Sequence, residues 1–105
     1  MSESTTKVGV WVTLPLKPGH RDEAVELVQE ALEAVKSEDG TLVYVLNADG
    51  KDENILYIYE VYSSQDAFTA HMGADWFKPF SDRLVNHLGG KPSFQLLTPL
   101  GGKPI

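Results

Sequence analysis

The chain of 105 residues contains no cysteine. Disulfides, thiolate nucleophiles and cysteine-based zinc sites are therefore excluded. Positive charge is scarce: 9 Lys and Arg stand against 15 Asp and Glu, a formal net charge of −6. With no basic cluster to offset that balance, the chain lacks the phosphate-neutralising surface of a nucleic-acid binder. The same deficit argues against docking on an anionic membrane. No apolar run approaches the ~20 residues of a membrane span. Met1 to Lys7 is polar, lacks the apolar region of a signal peptide, and reads as a short disordered tail. There is no glycine-rich phosphate fingerprint and no room for a Rossmann unit. The 3 histidines, His20, His71 and His87, never stand at metal-ligand spacing along the chain, so no metal is expected. Nothing requires an oxidising compartment, and the cytoplasm is the default location.

What is present amounts to one domain. A core of this size is thin, burying ~65% of the unfolded surface. The domain is expected over residues 8–98, with tails at 1–7 and 99–105. Val8, Val10, Val12 and Leu14 alternate with Gly9, Trp11 and Thr13, which predicts a strand from Val8 to Leu14. Lys17-Pro18-Gly19 turns the chain. Ala24, Leu27, Val28, Ala31 and Val35 recur at three and four residues, predicting a helix from about His20 to Ser37. Gly40 follows as a candidate left-handed cap. Thr41 to Leu46 and Ile55 to Tyr62 read as strands joined by a polar connection. Ser63 to Met72 reads as a short helix with Ser63-x-x-Asp66 at its start. A further helix is expected from about Asp75 to Leu88, with Pro79 in its first turn, and a last strand from Ser93 to Leu97 or Thr98.

This order is the βαββαβ pattern of a ferredoxin-like α+β fold, an antiparallel sheet with helices on one face. The two middle strands are apolar on both faces. A sheet with one solvated face would alternate apolar with polar residues. The chain has helices for one side only, so a second subunit is the simplest cover for the other.

Ile55 to Tyr62 carries one carboxylate, Glu60, and leads directly into the helix bearing His71. His71 lies four residues after Ala67 and three after Phe68, on the apolar side of that helix. An aromatic turn, Asp75-Trp76-Phe77-Lys78-Pro79-Phe80, comes next. Histidine titrates near neutrality and can accept a proton from a bound ligand. Glu60 can orient that histidine as an acid orients an imidazole in a triad. Otherwise it makes a structural hydrogen bond or an ion pair with Arg83 or Lys78. Trp11, Tyr44, Tyr62, Phe68, Trp76 and Phe80 are the candidate walls for a flat ligand, Trp76 and Phe80 foremost.

The chain resembles the antibiotic biosynthesis monooxygenase (ABM) family of the dimeric α+β barrel superfamily, over roughly Val8 to Leu97. Leu16-Lys17-Pro18-Gly19, Glu38-Asp39-Gly40-Thr41-Leu42, Tyr59-Glu60-Val61-Tyr62 and Ala67-Phe68-x-x-His71 with Asp75-Trp76-Phe77 carry the resemblance. It implies a homodimer with sheets packed face to face and a small pocket in each protomer. It also implies oxidation of phenols or hydroquinones by dioxygen without any cofactor, with His71 as general base. Haem-degrading relatives place an axial histidine where Ser81 stands and an asparagine in the first strand, which this chain lacks. Relatives that isomerise a sugar-derived phosphate need a basic site, for which Lys17, His20 and Arg21 are the candidates. A non-enzymatic dimeric ligand-binding module is the remaining reading.

Overall fold

Alternation along the first strand decides which side of the sheet becomes the core. The computed structural model describes residues 6–104; the first five residues of the expected N-terminal tail lie outside them. In β1 (Val8–Pro15), Val10, Val12 and Leu14 are buried, while Trp11 and Thr13 face the other way and are only half-buried. α1 (Arg21–Ala34) buries Ala24, Leu27, Val28 and Ala31 against that inner face, and Glu26, Glu30 and Glu33 stay exposed. The helix ends three residues sooner than its apolar period predicts. Val35–Ser37 tightens into a 3-10 turn, and the Ser37 hydroxyl donates to the Ala34 carbonyl at 3.0 Å. Left-handed backbone occurs at Gly19 (φ 83°), in the turn before α1, rather than at Gly40.

β2 (Thr41–Ala48) and β3 (Ile55–Tyr62) form an antiparallel pair. Asp49 organises their connection. Its Oδ1 accepts from the backbone N–H of Lys51 and Asp52, each at 2.9 Å, and its Oδ2 accepts from the Tyr57 hydroxyl at 2.6 Å. Those bonds, the Asp52 N–H foremost, hold the Asp49 carboxyl down at about 2. α2 (Gln65–Met72) is capped by Ser64, whose side chain accepts from the Ala67 N–H at 3.1 Å. The cap thus lies one residue beyond the expected Ser63. α3 (Phe77–Val85) carries Pro79 in its first turn, and β4 (Ser93–Leu97) closes the sheet.

Strand order is β2-β3-β1-β4, antiparallel throughout, so the chain has a ferredoxin-like α+β fold. The core lies between the sheet and α1, with Phe80 of α3 joining it. The opposite face carries Trp11 against Tyr57 and Tyr59, ring centroids 5.4 and 5.9 Å apart, and Val45 at 47% exposure. Among the described residues no helix is long and apolar enough to cross a membrane.

Candidate active site

The site begins at a glycine. A Cβ on Gly40 would sit 2.5 Å from the Cβ of Ala67, so α2 packs directly on the turn that follows α1. The turn is tied on both sides: the Glu38 N–H donates to Val35 at 2.9 Å, and the Ser63 N–H donates to Gly40 at 2.9 Å. This approach places His71 of α2 against Glu38 of the turn. His71 is 3% exposed, and its Nδ1 lies 2.8 Å from Glu38 Oε1. The same oxygen accepts from the Thr41 hydroxyl at 2.8 Å, and Oε2 accepts from the Trp76 indole N–H at 2.9 Å. Burial pushes the Glu38 carboxyl up, but these hydrogen bonds and the facing imidazole outweigh it and hold it below the usual carboxylate range. An ionised Glu38 can only accept, so the shared proton sits on Nδ1, and in the neutral ring that leaves the lone pair on Nε2.

Four aromatic rings enclose the imidazole. Tyr62, Phe77, Trp76 and Tyr44 have ring centroids 5.0, 5.2, 5.3 and 5.7 Å from it. His71 also lines a cavity of about 130 Å³. Ile58, Phe68, Phe80 and Leu96 form apolar walls, and Glu60 and Ser81 are the other polar residues on it. Glu60 is 6% exposed and accepts from the Tyr62 hydroxyl at 2.5 Å. Burial pushes its carboxyl up to about 7, the Tyr62 bond pulling it back and the charge of Glu38 raising it further. The Tyr62 and Tyr44 hydroxyls are raised by burial first and by these carboxylates second, so both remain protonated.

The candidate residues separate by what they touch. His71, Glu60, Phe68 and Phe80 line the cavity. Trp76 and Tyr44 pack on the imidazole, and the buried Tyr62 holds Glu60. Trp11 does not reach the cavity: β1 presents Val10 and Val12 there, and the pleat sends Trp11 through the sheet to the opposite face. The carboxylate that orients His71 is Glu38, not Glu60. Nor does Glu60 pair with either cation expected for it: Arg83 bonds Glu30 at 2.8 and 3.0 Å and Lys78 bonds Asp82 at 3.0 Å. Glu38 carried no role in the sequence reading, although it opens the Glu38-Asp39-Gly40 motif.

Ser81, the position at which the sequence reading looked for an axial histidine, lines the cavity. Of the basic residues before α1, Lys17 is engaged, its Nζ donating to the Asn86 carbonyl at 3.0 Å. His20 and His87, 67 residues apart in the chain, come together far from that spacing: their Nδ1 atoms lie 3.0 Å apart.

Fold and site together define a ferredoxin-like α+β domain with a carboxylate-supported histidine at the wall of an apolar cavity. A profile described as antibiotic biosynthesis monooxygenase matches residues 8–83. The chain belongs to that family. A candidate antibiotic biosynthesis monooxygenase of Caulobacter crescentus is similar at 28% identity, covering 93% of each chain with a TM-score of 0.88. A second such candidate, from Nitrosomonas europaea, is 14% identical over 99% of this chain and 98% of its own, TM-score 0.87. A Mycobacterium tuberculosis protein is 22% identical over 93% and 99%, TM-score 0.85. These last two speak to the fold alone. No curated protein matches the chain.

Proposed function

We propose that this chain is a cofactor-independent monooxygenase acting on a small phenol- or quinol-like substrate, with dioxygen as co-substrate. The observation that carries the reading is His71, buried on the cavity wall with its Nδ1 held 2.8 Å from Glu38. Glu38 fixes the imidazole with Nε2 as the basic nitrogen, and that nitrogen takes the phenolic proton. The phenolate gives one electron to dioxygen, and the two radicals combine to form a ring-carbon peroxide. The peroxide takes up a proton, loses its ring C–H proton and expels hydroxide, which leaves as water. The balance is one phenol and one dioxygen giving one quinone and one water. Glu60, whose carboxyl titrates near neutrality, supplies the proton to the departing oxygen. The apolar walls keep bulk water from the phenolate.

Oxygen uptake with a panel of quinols tests this reading. Uptake should match hydroxyquinone formed one to one, with water rather than hydrogen peroxide as the co-product, and should persist after treatment with a chelator. Turnover that continues unchanged without oxygen would favour an isomerase on the same scaffold. A panel that is bound but never turned over would favour a ligand-binding module.

We infer also that two chains pair through the helix-free sheet face, where Trp11, Tyr57, Tyr59 and Val45 form an apolar surface. Trp11→Glu places a charge in that surface and should convert the dimer to a folded monomer. Sedimentation velocity reads the result, and a wild-type chain that runs as a folded monomer at micromolar concentration would refute the pairing.

A further inference from the structure

We propose that His20, His87 and Glu23 bind one divalent first-row transition-metal ion. His20 immediately precedes α1, Glu23 lies in the first turn of α1, and His87 follows α3. None of the three lines the cavity of His71, so this site is independent of the proposed oxygenase chemistry.

Geometry makes the case. The two Nδ1 atoms lie 3.0 Å apart. An ion held about 2.05 Å from both nitrogens would see them roughly 95° apart, close to the right angle of tetragonal or octahedral coordination. Tetrahedral zinc would ask for a separation near 3.3 Å, which a small ring rotation supplies. Glu23 Oε1 is 3.9 Å from His20 Nδ1, within the roughly 4 Å that separates two ligands of one ion. All three ligand atoms lie within 4.8 Å of one another. The Glu23 side chain is 67% exposed and can swing the remaining distance.

The site is also laced together by backbone before any ion arrives. The Lys17 N–H donates to the His87 carbonyl at 2.9 Å, and the His20 N–H donates to the Lys17 carbonyl at 3.1 Å. Gly89 donates to Pro15 at 2.9 Å, and only a glycine fits there, since a Cβ would meet the Leu16 carbonyl at 2.8 Å. Two turns clamped this way hold both imidazoles in place, which lowers the ordering cost of binding. Glu23 and Glu26 line a depression beside His87, and their charge draws a cation toward it. Two imidazoles and a carboxylate suit Ni²⁺, Cu²⁺ and Zn²⁺ over the oxygen-seeking Mg²⁺ and Ca²⁺. The remaining coordination positions face solvent.

The competing account is a plain hydrogen bond between the two rings, with one Nδ1 protonated and the other not. Calorimetric titration of the tag-free chain with Ni²⁺ alone, and separately Zn²⁺ alone, separates the two. The site predicts one ion per chain, with affinity falling ~100-fold in His20→Ala and in His87→Ala. Glu23→Gln, an exposed change that spares the fold, should weaken binding about tenfold. His71→Ala should bind as the wild type does. At an ion concentration one-hundredfold above the wild-type Kd the melting temperature should rise by roughly 10 °C, and by only about 2 °C in His87→Ala. Absence of binding to the wild type at millimolar ion, or binding that survives loss of both histidines, would overturn the proposal.

Discussion

Replacing His71 with alanine should lower kcat/KM for oxygen-dependent turnover about 10²–10⁴-fold, the usual contribution of a positioned general base. That range corresponds to about 3–5 kcal/mol of transition-state stabilisation. The expectation rests on a buried imidazole at the cavity wall with Nδ1 committed to a carboxylate. Glu38→Gln tests the carboxylate's part. Its amide oxygen can still accept from Nδ1 and the Thr41 hydroxyl, but its NH₂ then confronts the Trp76 indole N–H, which can only donate. A fall of about 10–100-fold in kcat with little change in KM is expected, because substrate does not touch Glu38. The double variant should be no worse than His71→Ala alone. Additive losses would show that Glu38 acts on something other than His71. Circular dichroism of each variant guards against a trivial loss of fold.

Glu60→Gln should change stability in a pH-dependent way and in the favourable direction. In the folded protein burial raises the Glu60 carboxyl to about 7, against an ordinary value of 4.5. Below about pH 4.5 both folded and unfolded chains carry the proton, and the residue has no electrostatic cost. As pH rises the unfolded carboxyl ionises first, so the unfolded state binds fewer protons and stability falls. The loss is complete once pH passes the folded value near 7, and it amounts to about 3 kcal/mol. Glutamine cannot ionise and still accepts from the Tyr62 hydroxyl. The stability of Glu60→Gln relative to wild type should therefore climb by about 3 kcal/mol between pH 4 and pH 8. Urea denaturation at four or five pH values measures it. A difference that stays flat across that range would mean Glu60 is comfortably ionised in the folded chain. Turnover should fall in the same variant, since the amide has no proton to give. More stability with less activity is the signature of a group kept for function at a cost to the fold.

The contrast between Glu38 and Glu60 also shows where sequence reasoning stops. Glu60 and His71 are 11 residues apart and flank one strand-to-helix turn, so proximity in the chain made them the natural pair. Glu38 is 33 residues from His71 and reaches it only because Gly40 lets α2 settle on the preceding turn. Nothing in the spacing of either segment announces that contact. Trp11 is a different kind of case. The alternation of β1 already set it apart from Val10 and Val12. What the strand alone lacked was the position of the helices, which decides which face holds the cavity. The histidine pair makes the same point from the surface. His20 and His87 have no periodic relation, yet hydrogen bonds between two turns bring their rings together.

The sequence by itself determined the element order, the strand and helix faces, the family and the placing of His71 on an apolar helix face. These follow from periods of two and of three to four residues, which the chain carries locally. Tertiary structure alone decided which carboxylate serves His71, which aromatic side chains meet the cavity and which histidines meet each other. Those contacts join residues far apart in the chain, and they depend on how closely turns and helices pack.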